Sequence, residues 1–223
     1  MPVSGYKTAM NAKTSRTSSV AKPGPAPAFR ERLRAGMIEI AVRIISQDGL
    51  SELQARRVAV EAQCSVGTIY NIFGDLDGLI LDANSETLAI MAAELQATYD
   101  VTKPLRAPER LTALALAYMH FAFENRLRWS AVFEHRLPSG KDLPVDYDTR
   151  RAELLELLAQ AIGSTNAATP EVRMRAARSL FAATHGIITL ALNNKLSQFD
   201  PAAVEADIRF IVTAAVRGLK ETA

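Results

Sequence analysis

Hydrophobic side chains recur at three- and four-residue intervals along most of the chain from Phe29 onward. In the first of these stretches Met37, Ile40 and Ile44 fall on one side of a helix, and the pattern stops at Gly49. This spacing is typical of amphipathic helices, whereas a half-buried strand alternates apolar and polar residues. No stretch shows sustained alternation, so the pattern predicts an all-α fold of about nine helices.

The N-terminal third carries the start signals of three further helices. Ser51, followed by Gln54 three residues later, has the form of a capping box and predicts a short second helix. Ser65 and Asp75 are residue types that cap helices, and each stands before a new apolar stretch. We therefore expect a third helix from Ser65 and a long fourth helix from Asp75.

The remaining helices follow a break near residues 98–108, where prolines interrupt the pattern. This break predicts a small N-terminal domain, residues 29–91, joined by the fourth helix to a helical bundle, residues 92–223. The last two predicted helices, residues 170–195 and 201–220, are apolar over wide faces. Such faces need a partner, which is either the core of the same chain or a second copy in a homodimer.

Residues 1–28 differ from the rest of the chain in composition and charge. They are rich in Ser, Thr, Ala and Pro, and they carry four basic residues and no acidic one. The formal net charge of the whole chain is +2, so residues 29–223 carry a net charge of −2. Because such a segment buries too little apolar surface to offset its ordering entropy, we expect a disordered basic arm that either contacts DNA or only aids solubility.

The composition also narrows the class of protein. One cysteine, Cys64, excludes an internal disulfide and a multi-cysteine metal site. The histidines show no metal-ligand spacing, and we expect neither a metal ion nor a cofactor. The chain contains no apolar run of the roughly 20 residues that a membrane helix needs, and its start lacks the apolar core of a signal peptide. These features favour a cytoplasmic protein without a membrane partner.

The second and third predicted helices, separated by two residues, have the spacing of a helix-turn-helix at about residues 54–73. In this arrangement the third helix enters the major groove of double-stranded DNA, so it needs apolar anchors inside and short or hydrogen-bonding side chains outside. Ile69, Ile72 and Phe73 can supply the anchors. The candidate DNA-binding residues are Arg56, Arg57, Ser65, Val66, Gly67, Thr68, Tyr70 and Asn71. The alternative is a tight helical corner without a DNA contact.

Residues 31–91 resemble the DNA-binding head of the TetR family of bacterial transcriptional regulators. The matching positions are Val58-Ala59, Ser65-Val66-Gly67-Thr68-Ile69-Tyr70, Phe73-Gly74-Asp75 and Leu79. The resemblance implies a three-helix DNA-binding domain whose recognition helix ends in Tyr-x-x-Phe. It also implies that a Gly-Asp step begins the helix that connects this domain to a C-terminal bundle.

Four positions depart from the usual pattern of the family. Gln54 stands where a capping Ser or Thr is common, and Gln63 replaces the turn glycine, at a cost if the backbone there needs a positive φ. Ile72 and Leu76 stand where the family often has a histidine and a DNA-contacting lysine. Those two phosphate contacts are therefore not carried over, and the basic arm or Arg56 and Arg57 is expected to supply the charge.

The C-terminal region resembles the ligand-binding and dimerisation domains of the same family. In particular it is similar to the subgroup with a Trp, a His and a His-Gly pair, here Trp129, His135 and His185-Gly186. The resemblance implies a homodimer joined through the last two helices and a small-molecule effector, which the aromatic composition predicts to be largely apolar. The candidate ligand-binding residues are Tyr118, Phe121, Trp129, Phe133, Phe181 and His185, each of which is also a candidate for ordinary core packing.

Together these patterns predict a ligand-responsive DNA-binding regulator, a repressor rather than an activator, that releases a palindromic operator when its effector binds. Two alternatives stay open at this point. One is an architectural DNA-binding protein without a ligand, and the other is an all-α enzyme that uses His120, His135 or His185 as a base. No nucleophile or metal motif supports the enzyme, so we expect no catalytic residue.

Overall fold

A computed structural model of the 223-residue chain describes residues 27–163, 169–195 and 200–221. Within these ranges the chain forms nine α-helices and one 3₁₀ turn, Leu50–Glu52, and no strand, which confirms the predicted all-α fold. The helices are α1 Pro27–Asp48, α2 Ala55–Glu61, α3 Val66–Phe73, α4 Leu76–Thr102, α5 Ala107–Glu124, α6 Arg126–Glu134, α7 Val145–Gly163, α8 Pro170–Leu192 and α9 Pro201–Glu221. The predicted disordered arm lies outside the described residues except for its last two positions.

Two of the three predicted helix starts are confirmed. The Ser65 side chain accepts a hydrogen bond from the Thr68 backbone N–H at 3.1 Å, and the Asp75 carboxylate accepts one from Gly78 at 2.9 Å. The capping box at Ser51 is wrong, because Ser51 lies inside the 3₁₀ turn and Gln54 precedes α2 without a side-chain cap. Burial explains the difference. Leu53 packs into the core at 3% exposure with an extended backbone, and this interrupts the helix that a capping box at Ser51 would begin.

The first four helices, together with Ala131 of α6, enclose an N-terminal core. Met37, Ile44, Val58, Ile69 and Leu79 are all fully buried in it. They come from α1, α2, α3 and the start of α4, so each short helix contributes at least one large apolar side chain. Burial of a side chain of this size stabilises the fold by about 1.5–3 kcal/mol relative to exposure, which is why helices as short as α2 and α3 are held in place.

A second core lies between α4 and the five helices that follow it. Its fully buried side chains include Leu111, Met119, Phe121, Ile188 and Ile208. Helix α4 belongs to both cores, because Leu79 and Ile80 pack in the first and Leu88 and Met91 in the second. Helix α4 therefore connects the N-terminal core to the C-terminal core, as the sequence predicts.

The apolar faces of α8 and α9 are divided between the interior and the surface. Leu180, Ile188 and Ile208 pack inside the C-terminal core. Leu190 and Phe210 remain 42% and 72% exposed. The core of the chain therefore buries only part of the apolar surface of α8 and α9, and the rest is exposed to solvent.

Candidate DNA interface and effector cavity

Four residues, 62–65, connect α2 to α3, two more than the sequence predicts, and their backbone is unusual. Gln63 has φ +52°, in the left-handed region that favours glycine, and the Cys64 backbone N–H donates to the Ala59 carbonyl at 2.9 Å. The positive φ considered for Gln63 on the sequence is therefore present. The turn joins α2 to α3 and places a side chain at a position where glycine is preferred.

Helix α3 separates its apolar and polar side chains between two faces. Ile69 is fully buried, and Ile72 and Phe73 are half-buried against the N-terminal core. On the opposite side Tyr70 is 46% exposed, and Asn71 is also exposed. The helix consequently presents a rigidly anchored polar face to solvent.

The remaining predicted DNA-binding residues of α3 lie at its first turn. Ser65 and Gly67 are exposed, while Val66 and Thr68 are half-buried. The hydroxyl groups of Ser65 and Thr68 lie 2.9 Å apart and form a hydrogen bond with each other. This pair organises the start of the helix, where free backbone N–H groups favour an anion such as a phosphate.

The two arginines predicted to face DNA differ in their surroundings. Arg57 donates to the Asp48 carboxylate at 2.6 Å and lies 3.7 Å from Glu61, so acidic neighbours offset its charge. Arg56 is exposed. The structure adds a third arginine, because the Arg30 guanidinium of α1 donates to the Asn71 carbonyl at 2.7 Å and lies beside the end of α3.

The joint between α3 and α4 is tightly constrained by a glycine. A Cβ atom at Gly78 would lie 2.2 Å from the Phe73 carbonyl oxygen, so no other residue fits without a backbone shift. The Gly78 N–H is also the group that Asp75 caps. These two contacts constrain the path of the chain from α3 into α4.

The same joint is held by a loop that follows α6. The Lys141 ammonium donates to the Asp75 carboxylate and lies 3.2 Å from that of Asp77, whose other oxygen is 3.4 Å from His135 Nε2. The hydrogen bond from Lys141 lowers the pKa of Asp75, and burial lowers the pKa of His135 despite the nearby Asp77. We call Asp75, Asp77, His135 and Lys141 the joint cluster. Its contacts span more than 55 residues of sequence, so no local pattern indicates it.

A cavity of about 260 Å³ lies between α4, α5, α6, α7 and α8. Fourteen of its eighteen lining residues are apolar, and eight of these are leucines, namely Leu88, Leu95, Leu114, Leu154, Leu155, Leu157, Leu158 and Leu180. The polar exceptions are Tyr118, Asp148, Arg151 and Thr184. A lining of hydrocarbon with a few polar groups is typical of small-molecule sites, and the volume lies just below their usual range of about 300–1,000 Å³.

Behind one wall of the cavity lies a cluster of aromatic rings. The His185 ring centroid is 4.3 Å from that of Phe133 and 4.9 Å from that of Trp129, and the Tyr118 hydroxyl forms a 2.9 Å hydrogen bond with His185 Nδ1. Burial raises the pKa of Tyr118 and lowers that of His185, so both side chains are neutral at pH 7.

Neither a metal site nor a membrane-spanning helix is found in the part of the chain that the structure describes. No group of three or more His, Cys, Asp and Glu side chains there is placed to hold a metal ion. No described helix has the length and apolar character needed to cross a membrane.

Residues 111–215 match the family model described as tetracyclin repressor-like, C-terminal domain. The chain is also 28% identical over 122 residues to an uncharacterized HTH-type transcriptional regulator of Haemophilus influenzae. These matches support a TetR-family transcriptional regulator. The match to the Haemophilus protein covers 54% of this chain and 64% of that protein, which is less than two thirds of its length.

Solved structures share the TetR fold with this chain. A protein of unknown function from Rhodococcus sp. RHA1 superposes with a TM-score of 0.66 at 22% identity, covering 91% of this chain and 99% of that one. A TetR-family regulator from Streptomyces coelicolor gives 0.60 at 21%, covering 88% and 97%, and a TetR-like regulator from the same Rhodococcus gives 0.56 at 19%, covering 88% and 99%. At these identities the likeness establishes the fold.

The predicted ligand-binding residues occupy two layers. Tyr118, Phe133 and Phe181 line the cavity. Phe121, Trp129 and His185 are not among its lining residues, and Trp129 and His185 pack against the aromatic wall from behind. The aliphatic lining and Thr184 were missed on the sequence, because leucines at helical spacing look the same whether they line a cavity or fill a core.

Proposed function

We propose that this TetR-family regulator binds a palindromic operator as a homodimer and represses transcription until a small, largely apolar molecule enters the cavity. We assign residues 29–91 to the DNA-binding domain and residues 92–223 to the ligand-binding and dimerisation domain. The protein would act in the cytoplasm, on double-stranded DNA, and without a catalytic step.

The observation that carries this proposal is the position of α4. The helix begins at Leu76, three residues after the recognition helix ends at Phe73, and its side chains Leu88, Met91 and Leu95 line the cavity. One continuous helix thus joins the surface offered to DNA with the surface offered to a ligand. A ligand that packs better against one position of α4 than another changes the population of head orientations, and therefore the affinity for DNA.

The joint cluster supports a second connection between the same two surfaces. Upstream of its loop, Val132 and Phe133 line the cavity at the end of α6, and downstream Asp148 and Arg151 line it from the start of α7. Lys141 of the loop itself contacts the carboxylates at the start of α4. A ligand that displaced the end of α6 or the start of α7 would therefore also move the contacts that this loop makes with α4, the helix that follows the proposed DNA-binding domain.

The homodimer rests on the exposed remainder of α8 and α9. Leu190 and Phe210 are large apolar side chains that are exposed to solvent in the single chain. A second copy packed against them would remove this apolar surface from water. A two-fold dimer through these helices would place two recognition helices on the same side of DNA, one helical turn of about 34–36 Å apart, and would read a palindrome.

Binding to the DNA that flanks its own gene tests this function. Fluorescence anisotropy at 50 and 200 mM salt is expected to give a saturable affinity that exceeds the affinity for scrambled DNA by about 10³-fold or more, and that weakens with salt. Solution mass should correspond to a dimer. A monomer that binds both DNA sequences equally at each salt concentration would contradict the proposal.

A further inference from the structure

The cavity contains a buried hydroxyl group that the protein does not use. The Thr184 side chain is 3% exposed and lines the cavity, and its Oγ1 has no hydrogen-bond partner among the described residues. A threonine within a helix usually bonds a carbonyl of the preceding turn, as Thr87 and Thr112 do here. Because a buried hydroxyl without a partner costs free energy, Thr184 is poised for a partner that enters the cavity.

The charges near the cavity are confined to its solvent side. Asp148 and Arg151 are the only charged lining residues, with side chains 69% and 51% exposed, and they lie 3.8 Å from each other. The groups at the buried wall are neutral, since burial disfavours the charged forms of both Tyr118 and His185. An ion that reached this wall would therefore lose its hydration without meeting a counter-charge.

We propose that the effector is an uncharged, mainly hydrocarbon molecule whose single buried oxygen, as in a ketone or an alcohol, forms a hydrogen bond with Thr184. The leucine-rich lining accepts the hydrocarbon part, and the hydroxyl of Thr184 can donate to a carbonyl or accept from an alcohol. This inference rests on the proposed ligand-binding function of the cavity and specifies the chemistry of its ligand.

A series of nine-carbon compounds separates the chemical classes. The probes are nonan-2-one, nonan-1-ol, nonanoate and nonylammonium at pH 7.5, added to the DNA-free protein. Trp129 is the only tryptophan of the chain, and its ring centroid lies 5.2 Å from that of the cavity residue Phe133, so its fluorescence reports occupancy. We expect both neutral compounds to bind about tenfold or more tightly than both ions.

Two threonine variants test the hydrogen bond. Thr184→Val keeps the shape and removes the hydroxyl, so it should weaken nonan-2-one binding about three- to tenfold while it raises the melting temperature of the ligand-free protein. Thr189→Val is the matched control, because Thr189 on the same helix also has a buried Oγ1 without a partner in the described residues but does not line the cavity. It should raise the melting temperature and leave ketone binding unchanged.

Three results would overturn the inference. They are equal or tighter binding of an ion, ketone affinity that is the same in Thr184→Val and the wild type, and absence of saturable binding by all four compounds. The assay contains no DNA, so its outcome is independent of the regulatory role. Saturable, Thr184-dependent ketone binding together with unchanged operator affinity would contradict the proposed function and leave this inference standing.

Discussion

Helix α3, the proposed recognition helix, and the proposed effector cavity differ in how their hydroxyl groups are paired. At the start of α3, Ser65 and Thr68 satisfy each other within a span of four residues and leave an ordered polar surface. In the cavity, which lies between five helices, the Thr184 hydroxyl is buried and has no hydrogen-bond partner among the residues that the structure describes. The start of α3 is thus ordered by the protein's own hydrogen bonds, whereas the cavity holds a hydroxyl group that a bound molecule could satisfy. Variants on the buried face of α3 should therefore change stability, whereas variants on its exposed face should change DNA binding.

The largest effect is expected from the inner face of the recognition helix. Ile69→Ala removes a fully buried side chain from the N-terminal core and should lower the free energy of unfolding by about 2–5 kcal/mol. Operator binding should fail as a consequence of unfolding of the head. Chemical denaturation measures the loss, and Ile90→Ala, at a side chain 42% exposed on α4, is the control that should change stability by less than about 0.5 kcal/mol. Equal losses in the two variants would refute the assigned packing of α3.

On the exposed face of α3, a substitution should weaken DNA binding without a loss of stability. Tyr70→Ala removes a side chain that is 46% exposed, so stability should change by less than about 0.5 kcal/mol. Operator affinity should fall about tenfold or more if the ring and hydroxyl contact DNA, since one good contact is worth about 1–3 kcal/mol. Tyr70→Phe distinguishes the hydroxyl from the ring. Unchanged anisotropy titrations for Tyr70→Ala would remove this residue from the DNA interface.

A smaller effect is expected where the two regions meet, at the joint cluster. Lys141→Ala removes the contacts to Asp75 and Asp77 but should change stability by less than about 1 kcal/mol, because the pairs are partly exposed. The ratio of operator affinities without and with nonan-2-one should shrink roughly 2- to 30-fold. Lys103→Ala, which breaks a 2.7 Å pair with Asp100 at the far end of the same helix, is the control. Identical ratios in both variants would show that the joint cluster carries no coupling.

The sequence predicts best what is decided within a few residues. The start of α3 at Ser65 and of α4 at Asp75 follow from local hydrogen bonds, and the burial of Ile69 follows from helical spacing. The mistaken capping box at Ser51 shows the limit of such rules. There the burial of Leu53 overrides a local capping preference.

Contacts between distant segments could not be predicted in this way. The joint cluster brings Lys141 to Asp75 across 66 residues, and the hydrogen bond between Tyr118 and His185 spans 67. A cavity is harder still, because it exists only where packing is incomplete, and Thr184 differs from a satisfied threonine only through its neighbours in space. The sequence therefore indicates the composition of the ligand site without its shape or its polar group.

The smallest effect is expected in the turn between α2 and α3. Gln63→Gly relieves a left-handed backbone at φ +52° but increases the entropy of the unfolded chain, so stability should rise by roughly 0.5 kcal/mol. Ala62→Gly, at φ −76°, offers no such relief and should destabilise by roughly 0.5–1 kcal/mol. Thermal unfolding of the two variants gives the comparison. A loss of stability in Gln63→Gly would mean that the side chain contributes more than the strain costs.

Reciprocal binding measurements show whether α4 couples the cavity to the surface proposed to bind DNA. Operator affinity is measured without and with saturating nonan-2-one, and ketone affinity is measured without and with saturating operator. We expect each ligand to weaken binding of the other by the same factor, about fivefold or more, because thermodynamic linkage requires equal factors. A factor of one in both titrations, with both ligands bound, would contradict this expectation.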